Sequence, residues 1–369
     1  MKGLENGSGD KDDVFHLEET DKELPSAWKS GSLKYGELKP LSEGGTAKLY
    51  LARDKNLRRT VAYKTLHDDL RDDEIEARRF LREARVTANI QHPGTLPVYE
   101  LGRDREGHLF FTMKKVEGRD LRAILLDVRH EVPDALENFP LPRLLDVLIQ
   151  VCQTVAYAHE HGVIHRDLKP ANVLVGEFGE VVVIDWGLAK VLAEEDEGKV
   201  SSEEPASPSI DPCITPAGKN YGTPMYMPPE IARGETDLDG RVDVFSLGVI
   251  LYEMLTDRFL VEGENAKDVI GKILHEPFPL PRETAPTKNL PRDLQAICMK
   301  AIRKDKRKRY PTVRALLEDL RRYRHDEEVS VYWYSGWEKL NRWNHKHALA
   351  TVAALAAALG YLAHLLFGG

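Results

Sequence analysis

The chain has 369 residues, with 52 basic against 60 acidic side chains, a formal net charge of -8, 42% hydrophobic residues and 3 cysteines. That length and apolar share suffice for a hydrophobic core and exclude a disordered, collagenous or disulfide-stapled chain, and the net acidity argues against a nucleic-acid binder working through an overall basic surface. Cys152, Cys213 and Cys298 are far apart and in no paired spacing, so they read as reduced thiols and not as bridges or zinc ligands.

Residues 1–32 open without a basic-then-apolar leader and are rich in Gly, Asp, Glu and Ser, which predicts an acidic tail without fixed structure and excludes a secretory signal. From Tyr35 short β-type runs follow one another: Ala47 to Ala52, Thr60 to Thr65, Leu96 to Leu101 and Leu109 to Val116. Among them lies one charged helical stretch, Asp72 to Ala88, with Ile75, Phe80, Leu81 and Ala84 taken as its apolar stripe. Residues 33–116 are thus a small antiparallel sheet with one helix. After Gly118 the pattern turns helical. Leu144, Leu145, Leu148, Val151 and Val155 line one face of Leu141 to His161, and Val242 to Leu255 is a second apolar helix. Residues 117–326 therefore form a larger, mainly helical unit. Within it, Val191 to Tyr221 carries Glu, Ser, Pro and Gly without periodicity and reads as a long loop. Residues 1–30 hold 8 acidic and 4 basic side chains and residues 191–220 hold 7 and 2, so the net acidity belongs to the tail and this loop.

Residues 327–347 form a linker rich in tryptophan, with Trp333, Trp337 and Trp343 beside Lys339, Arg342 and Lys346. Residues 348–367 contain no Asp, Glu, Lys or Arg, about the length that spans a 30 Å hydrocarbon core as a helix. An aromatic belt and basic flank before such a run predict a single-pass transmembrane helix with the preceding domain on the cytoplasmic side. An Ala-rich helix packed on protein is the alternative, since Val352, Leu355, Leu359, Leu362 and Leu366 also form a helical seam. Only Gly368 and Gly369 follow the run, so no sensor domain is expected beyond it.

The residues that carry chemistry lie in the two central units. Leu41-Ser42-Glu43-Gly44-Gly45-Thr46-Ala47-Lys48-Leu49 is a turn of small residues, whose backbone N–H groups could approach phosphate oxygens or simply close a hairpin. Val61-Ala62-Tyr63-Lys64 ends a β-type run with a lysine among apolar neighbours, an expensive site for an ammonium group without a partner; Glu83 on the following helix is the candidate. Then come His165-Arg166-Asp167-Leu168-Lys169-Pro170-Ala171-Asn172 and, after the run Val181 to Ile184, Asp185-Trp186-Gly187. An aspartate and an asparagine five apart on a loop, with an aspartate ending a strand, supply one oxygen to accept a hydroxyl proton and two for hard cations such as Mg²⁺.

In this order the motifs resemble those of the eukaryotic-like (Hanks-type) serine/threonine protein kinases over about Tyr35 to Arg324, and the anchored, Trp-rich C-terminal region with Asp-Trp-Gly looks like bacterial, membrane-anchored members. The resemblance implies an α+β bilobal kinase fold, with a small sheet lobe, a larger helical lobe and an activation segment over residues 185–230. It implies ATP as phosphoryl donor with Mg²⁺, or Mn²⁺ in its place, and Ser/Thr side chains of proteins as acceptors; the net acidity leaves no nucleic acid among the expected partners, and a homodimer is a candidate assembly. Lys64 would hold the α- and β-phosphates and pair with Glu83. Asp167 would orient the hydroxyl and accept its proton, Lys169 would lie near the γ-phosphate, and Asn172 and Asp185 would bind the metal. Leu41, Ser42, Glu43, Gly44, Gly45, Ala47 and Leu49 would cover the nucleotide, Ala62 and Met113 would line the adenine pocket, and the backbone of Lys114, Lys115 and Val116 would face the adenine edge. Gly222 to Glu230 would dock substrate, Glu230 would pair with Arg309, and Asp243 would brace the catalytic loop.

Two departures from the family pattern stand out. Ser42 and Ala47 replace two glycines of the phosphate loop, which implies a stiffer lid, and Trp186 replaces a phenylalanine whose packing reports active and inactive states. The same features leave a membrane-tethered pseudokinase or nucleotide-binding scaffold as the second reading. Arg166 before the catalytic aspartate implies regulation by a phosphate on the activation segment. Among Ser201, Ser202, Ser207, Ser209, Thr215 and Thr223, Thr215 is the favoured autophosphorylation site because it lies a few residues before the docking loop.

Overall fold

The computed structural model describes residues 29–191, 224–339 and 342. The tail through residue 28, the candidate phosphosite Thr215, Gly222 and Thr223 of the docking loop, Trp343 and the apolar run 348–367 lie outside the described residues. Among the described residues no helix is long and apolar enough to cross a membrane.

The N-terminal lobe is a five-stranded antiparallel sheet in the order β1-β2-β3-β5-β4, from β1 (Tyr35–Glu43), β2 (Ala47–Asp54), β3 (Arg59–Leu66), β4 (Val98–Arg103) and β5 (Leu109–Lys114). Strand alternation gives it two apolar faces. Tyr35, Ala52, Val61, Tyr63 and Phe110 cluster on one, with the Tyr63 and Phe110 rings stacked at 4.7 Å. Leu66, Leu109 and Phe111 face the other, where α1 (Glu74–Asn89) lays Phe80 and Ala84 against them. Asp73 caps α1 by accepting hydrogen bonds from the backbone N–H groups of Ile75 and Glu76.

Three details differ from the sequence reading. Ile75 does not belong to the buried stripe: it is 57% exposed. At 100° per residue it lies about 140° around the helix from Phe80, so burying Phe80 and Ala84 turns Ile75 to solvent. Strand β4 begins at Val98 and not at Leu96. Strand β5 ends at Lys114, so Lys115 and Val116 already belong to the connection between the lobes.

The C-terminal lobe comprises β6 (Gly118–Asp120), α2 (Leu121–Arg129), α3 (Pro133–Asn138), α4 (Leu141–Glu160), β7 (Val163–Ile164), β8 (Val173–Gly176), β9 (Val181–Val183), β10 (Lys190–Val191), α5 (Pro229–Ala232), α6 (Arg241–Thr256), α7 (Ala266–His275), α8 (Pro281–Thr284), α9 (Arg292–Ala301) and α10 (Val313–Arg324). Helix α6 is the centre of the lobe: every residue from Val242 to Thr256 is buried. A helix apolar around most of its circumference belongs in the core, and its few polar side chains, Asp243 and Glu253 among them, are buried with it. Gly248 permits its close approach to α9, since a Cβ there would lie 2.6 Å from the Ala301 Cβ. Helix α4 packs with its predicted stripe of Leu144, Leu145, Leu148, Val151 and Val155 inward.

Glu230 of α5 and Arg309 form a buried, two-pronged ion pair at 2.6 and 2.7 Å. The remaining Arg309 donors reach the carbonyls of Arg303 at 2.6 Å and Arg241 at 2.9 Å, which is what makes a buried guanidinium tolerable. Replacing Arg309 with Ala strands the Glu230 carboxylate and the carbonyls of Arg303, Arg241 and Lys304. Urea unfolding of Arg309→Ala is expected to show a loss of about 3–5 kcal/mol, and adding Glu230→Ala to it should cost far less than a second such loss.

Candidate active site

Cross-strand register decides which side chains line the cleft face of the sheet. Leu49 on β2, Lys64 on β3 and Phe111 on β5 are direct partners in one row, and Leu51, Ala62 and Met113 form the next. Directly paired residues share a face. Lys64 therefore emerges on the side covered by α1, where Glu83, three residues from the buried Phe80, meets it in an ion pair. Burial alone would disfavour the Lys64 ammonium, but the carboxylates of Glu83 and Asp185 outweigh it and hold the lysine above its ordinary range.

The turn between β1 and β2 closes with the Gly44 N–H donating to the Ala47 carbonyl at 2.9 Å. Leu41, Ser42, Glu43, Gly44 and Gly45 are exposed and Ala47 is buried. His67, just after β3, fastens this turn: its Nε2 donates to the Gly44 carbonyl at 2.8 Å, and its backbone N–H donates to the Thr46 carbonyl at 3.0 Å. His67 was not singled out in the sequence, and only its position one residue beyond the strand carrying Lys64 could have drawn notice.

Below the sheet, β7 delivers His165, Arg166 and Asp167 into a loop whose backbone is held from the core. Asp243, in the first turn of α6, accepts hydrogen bonds from the backbone N–H of His165 and of Arg166, both at 2.9 Å, and from His159 Nε2 at 2.7 Å. Arg166 needs that support, because its φ of 68° is in the left-handed region that side chains with a Cβ disfavour. His165, fully buried and unassigned in the sequence reading, joins the two functional loops. Its Nε2 donates to the Ile184 carbonyl at 3.1 Å, so Nδ1 is left to accept the Asp167 N–H at 3.3 Å.

Three side chains of the loop converge. Lys169 Nζ donates to Asp167 Oδ2 at 2.6 Å, and Asn172 Nδ2 donates to the Asp167 carbonyl at 2.9 Å and to Oδ2 at 3.3 Å. The Ile184 N–H donates to the Asn172 carbonyl at 2.9 Å, which brings Asp185 beside the loop. Asp185 takes a φ of 64°, and Trp186 after it is fully buried, with its ring 4.6 Å from His165 and Nε1 donating to the Val183 carbonyl. The larger indole is thus absorbed by the helical lobe while Asp185 faces Lys64. Gly187 lets these groups close up, since a Cβ there would lie 3.3 Å from Asp185 Oδ1 and 3.8 Å from Glu83 Oε2.

The donor set fits a hard divalent cation. The Asn172 amide nitrogen is committed to Asp167, so its oxygen remains as an acceptor, and Asp185 offers a carboxylate. The sequence-derived groups Lys64, Glu83, Asp167, Lys169, Asn172 and Asp185 are thus gathered from four separate segments: β3, α1, the loop after β7 and the residue pair after β9. Glu230, Arg309 and Asp243 stand behind them in the helical lobe.

Residues 35–320 match the family of the protein kinase domain. The chain belongs to the protein kinase family. Membership in the protein kinases carries the bilobal fold and the use of ATP with a divalent metal. Among curated proteins, this chain is 36% identical over 293 residues to the serine/threonine-protein kinase PknD of Chlamydia felis, covering 79% of this chain and 31% of that protein. It is 37% identical over 295 residues to PknD of Chlamydia caviae, again 79% and 31%, and 35% identical over 293 residues to PknD of Chlamydia pneumoniae, 78% and 31%. The chain thus spans under a third of the length of these relatives.

Asp243 ties the stability of the fold to pH. Burial would raise its carboxyl, but the hydrogen bond from His159, with His165 nearby, holds it below the ordinary 3.8. A depressed carboxyl contributes stability that is complete above its unfolded value and lost as the pH falls through the native one. Asp243→Asn is expected to lower stability by about 1.5–3 kcal/mol at pH 6, with the gap to wild type narrowing below pH 4; urea midpoints at pH 6 and pH 3 measure it.

Proposed function

We propose that the chain is a serine/threonine protein kinase that transfers the γ-phosphoryl group of ATP to Ser or Thr hydroxyls of proteins. The observation that carries this reading is the Lys64–Glu83 ion pair facing Asp185, together with the Asp167–Lys169–Asn172 cluster. Phosphoryl transfer asks a protein mainly for positioning and for charge near the phosphates, and this constellation supplies both. In this assignment Lys64 binds the α- and β-phosphates, with Glu83 fixing its direction. Leu49, Ala62 and Met113 enclose the adenine from the sheet face, the backbone from Lys114 to Val116 offers its edge contacts, and the Leu41–Ala47 turn covers the phosphates. Asp167 orients the acceptor hydroxyl and takes its proton at Oδ2, and Lys169, already bonded to that oxygen, balances the charge. Asn172 and Asp185 would hold Mg²⁺, or Mn²⁺ in its place, and the cation would supply positive charge against the charge that develops on the transferred phosphoryl group.

The names of the relatives support the choice of Ser/Thr acceptors, as does Lys169 two residues after Asp167. Protein substrates are then the partners, with the buried Glu230–Arg309 pair anchoring the segment that docks them. For location we propose a single-pass anchor over residues 348–367 with the kinase domain in the cytoplasm, and a homodimer as the assembly. The support for the anchor is a run of 20 residues without a charged side chain.

Radiolabelled ATP with a generic Ser/Thr substrate tests the activity. Asp167→Asn should cost on the order of 10²–10⁴-fold in rate, and Lys64→Met should abolish measurable incorporation. Incorporation by wild type no greater than by these variants, in Mg²⁺ and in Mn²⁺, would reject the enzyme. Activation-segment autophosphorylation is expected at Thr215. Mass spectrometry of the wild-type chain after incubation with Mg-ATP should find phosphate there and none in Asp167→Asn; phosphate confined to residues 1–32 would refute it.

A further inference from the structure

Beyond α10 the chain does not leave the helical lobe but straps itself across it. Asp326, with a φ of 55°, turns the backbone, and Val329 and Tyr334 then enter the core. The Ser330 N–H and Oγ donate to Asp319 at 2.8 and 2.7 Å, and Tyr334 Oη donates to Asp293 Oδ2 at 3.1 Å while accepting the Val329 N–H at 3.2 Å. Ser335 and Glu338 cap the short helical turn that follows by reciprocal hydrogen bonds of 3.3 and 2.8 Å. Arg342 closes the strap, paired with Asp293 and Asp326 and with its guanidinium 4.6 Å from the centre of the Tyr334 ring.

This well-anchored segment leaves its two largest apolar side chains in water. Trp333 is 92% exposed and Trp337 is 76% exposed, four positions apart on the strap. An indole buries roughly 150–250 Å² when it finds a partner, and its N–H suits a boundary that is apolar on one side and wet on the other. Chain length limits what that boundary is. The uncharged run begins at Ala348, six residues after Arg342. Six residues reach at most about 20 Å, so whatever solvent holds the run lies within that distance of the strap.

We infer that the strap is a mount that sets Trp333 and Trp337 into the headgroup boundary of a lipid bilayer and so holds the kinase domain against the membrane surface. The inference rests on the proposed anchor over residues 348–367. The contact made by the strap itself is apolar; Lys346 of the basic flank lies beyond it, toward the run. Lys339 is engaged by Glu328 at 2.8 Å and Arg342 by Asp293 and Asp326, so the strap keeps no surplus positive charge for acidic lipids. Zwitterionic lipid therefore suffices as the surface.

The test uses the full chain in phosphatidylcholine vesicles carrying bromine near the top of the acyl chains, which quenches tryptophan only at the boundary. Alkaline extraction first reads the anchor by itself. In chain that resists extraction, the bromine-quenched part of the emission should fall by more than half in the double variant Trp333→Phe, Trp337→Phe. Activity on a soluble substrate should be unchanged, since neither ring touches the cluster around Lys64 and Asp167. Equal quenching in wild type and variant, with extraction still resisted, overturns the mount and leaves the anchor standing. Complete release by alkali overturns both. A detergent-solubilised dimer that becomes monomeric in the variant assigns the two rings to a second copy and overturns the lipid assignment.

Discussion

The site depends on one buried carboxylate. Asp243 stands in the first turn of a helix that the core encloses on every side, and from there it accepts two backbone N–H groups and one imidazole. The left-handed Arg166 is thereby kept in place, and with it the direction in which Asp167 leaves the loop. A carboxylate in so buried a position is tolerable because each hydrogen bond it accepts favours its charged form. The helix supplies rigidity and its N-terminal N–H groups favour the negative charge, so the loop borrows its precision from the most densely packed element of the lobe.

The second constraint is charge balance across the cleft. Lys64 is affordable in its apolar row between Leu49 and Phe111 only because Glu83 and Asp185 approach it from a helix and from the opposite lobe. Each of the three groups is thus a condition for burying the others. Trp186 fits this arrangement without disturbing it. Its indole takes the place of a smaller ring by packing on His165 and donating to a carbonyl, while the backbone twist at Asp185 sends the carboxylate the other way. The substitutions in the phosphate turn act on a different property. With His67 bonded to the Gly44 carbonyl, the turn is braced from behind, in keeping with the stiffer lid that Ser42 and Ala47 imply.

Much of this was legible in the chain. Lys64 at the end of an apolar β-type run called for a partner and Glu83 is that partner, the stripe of α4 was inward as read, and the spacing of Asp167, Asn172 and Asp185 announced convergent oxygens. Local pattern carries such information because strand and helix periods assign faces directly. Ile75 shows the limit: an apolar residue can be counted into a stripe by eye and still lie about 140° off the buried face. His67, His159 and His165 were missed for another reason. Each works through a partner distant in sequence, and a lone histidine carries no periodic signal.

The amino-acid sequence by itself determined which elements form, which residue types meet phosphate and metal chemistry, and the order of the motifs that names the family. Those are consequences of short-range geometry and side-chain chemistry, which any stretch of chain carries with it. Only the tertiary structure decided that Asp243 grips Arg166, that Trp186 is wholly buried, and that residues 327–339 form a strap and not a free linker. Such contacts join residues tens of positions apart, and they exist only once the core has brought the segments together. The exposure of Trp333 and Trp337 belongs to this second class: composition counted them as aromatic, but packing alone chose to bury their neighbour Tyr334 and leave them outside.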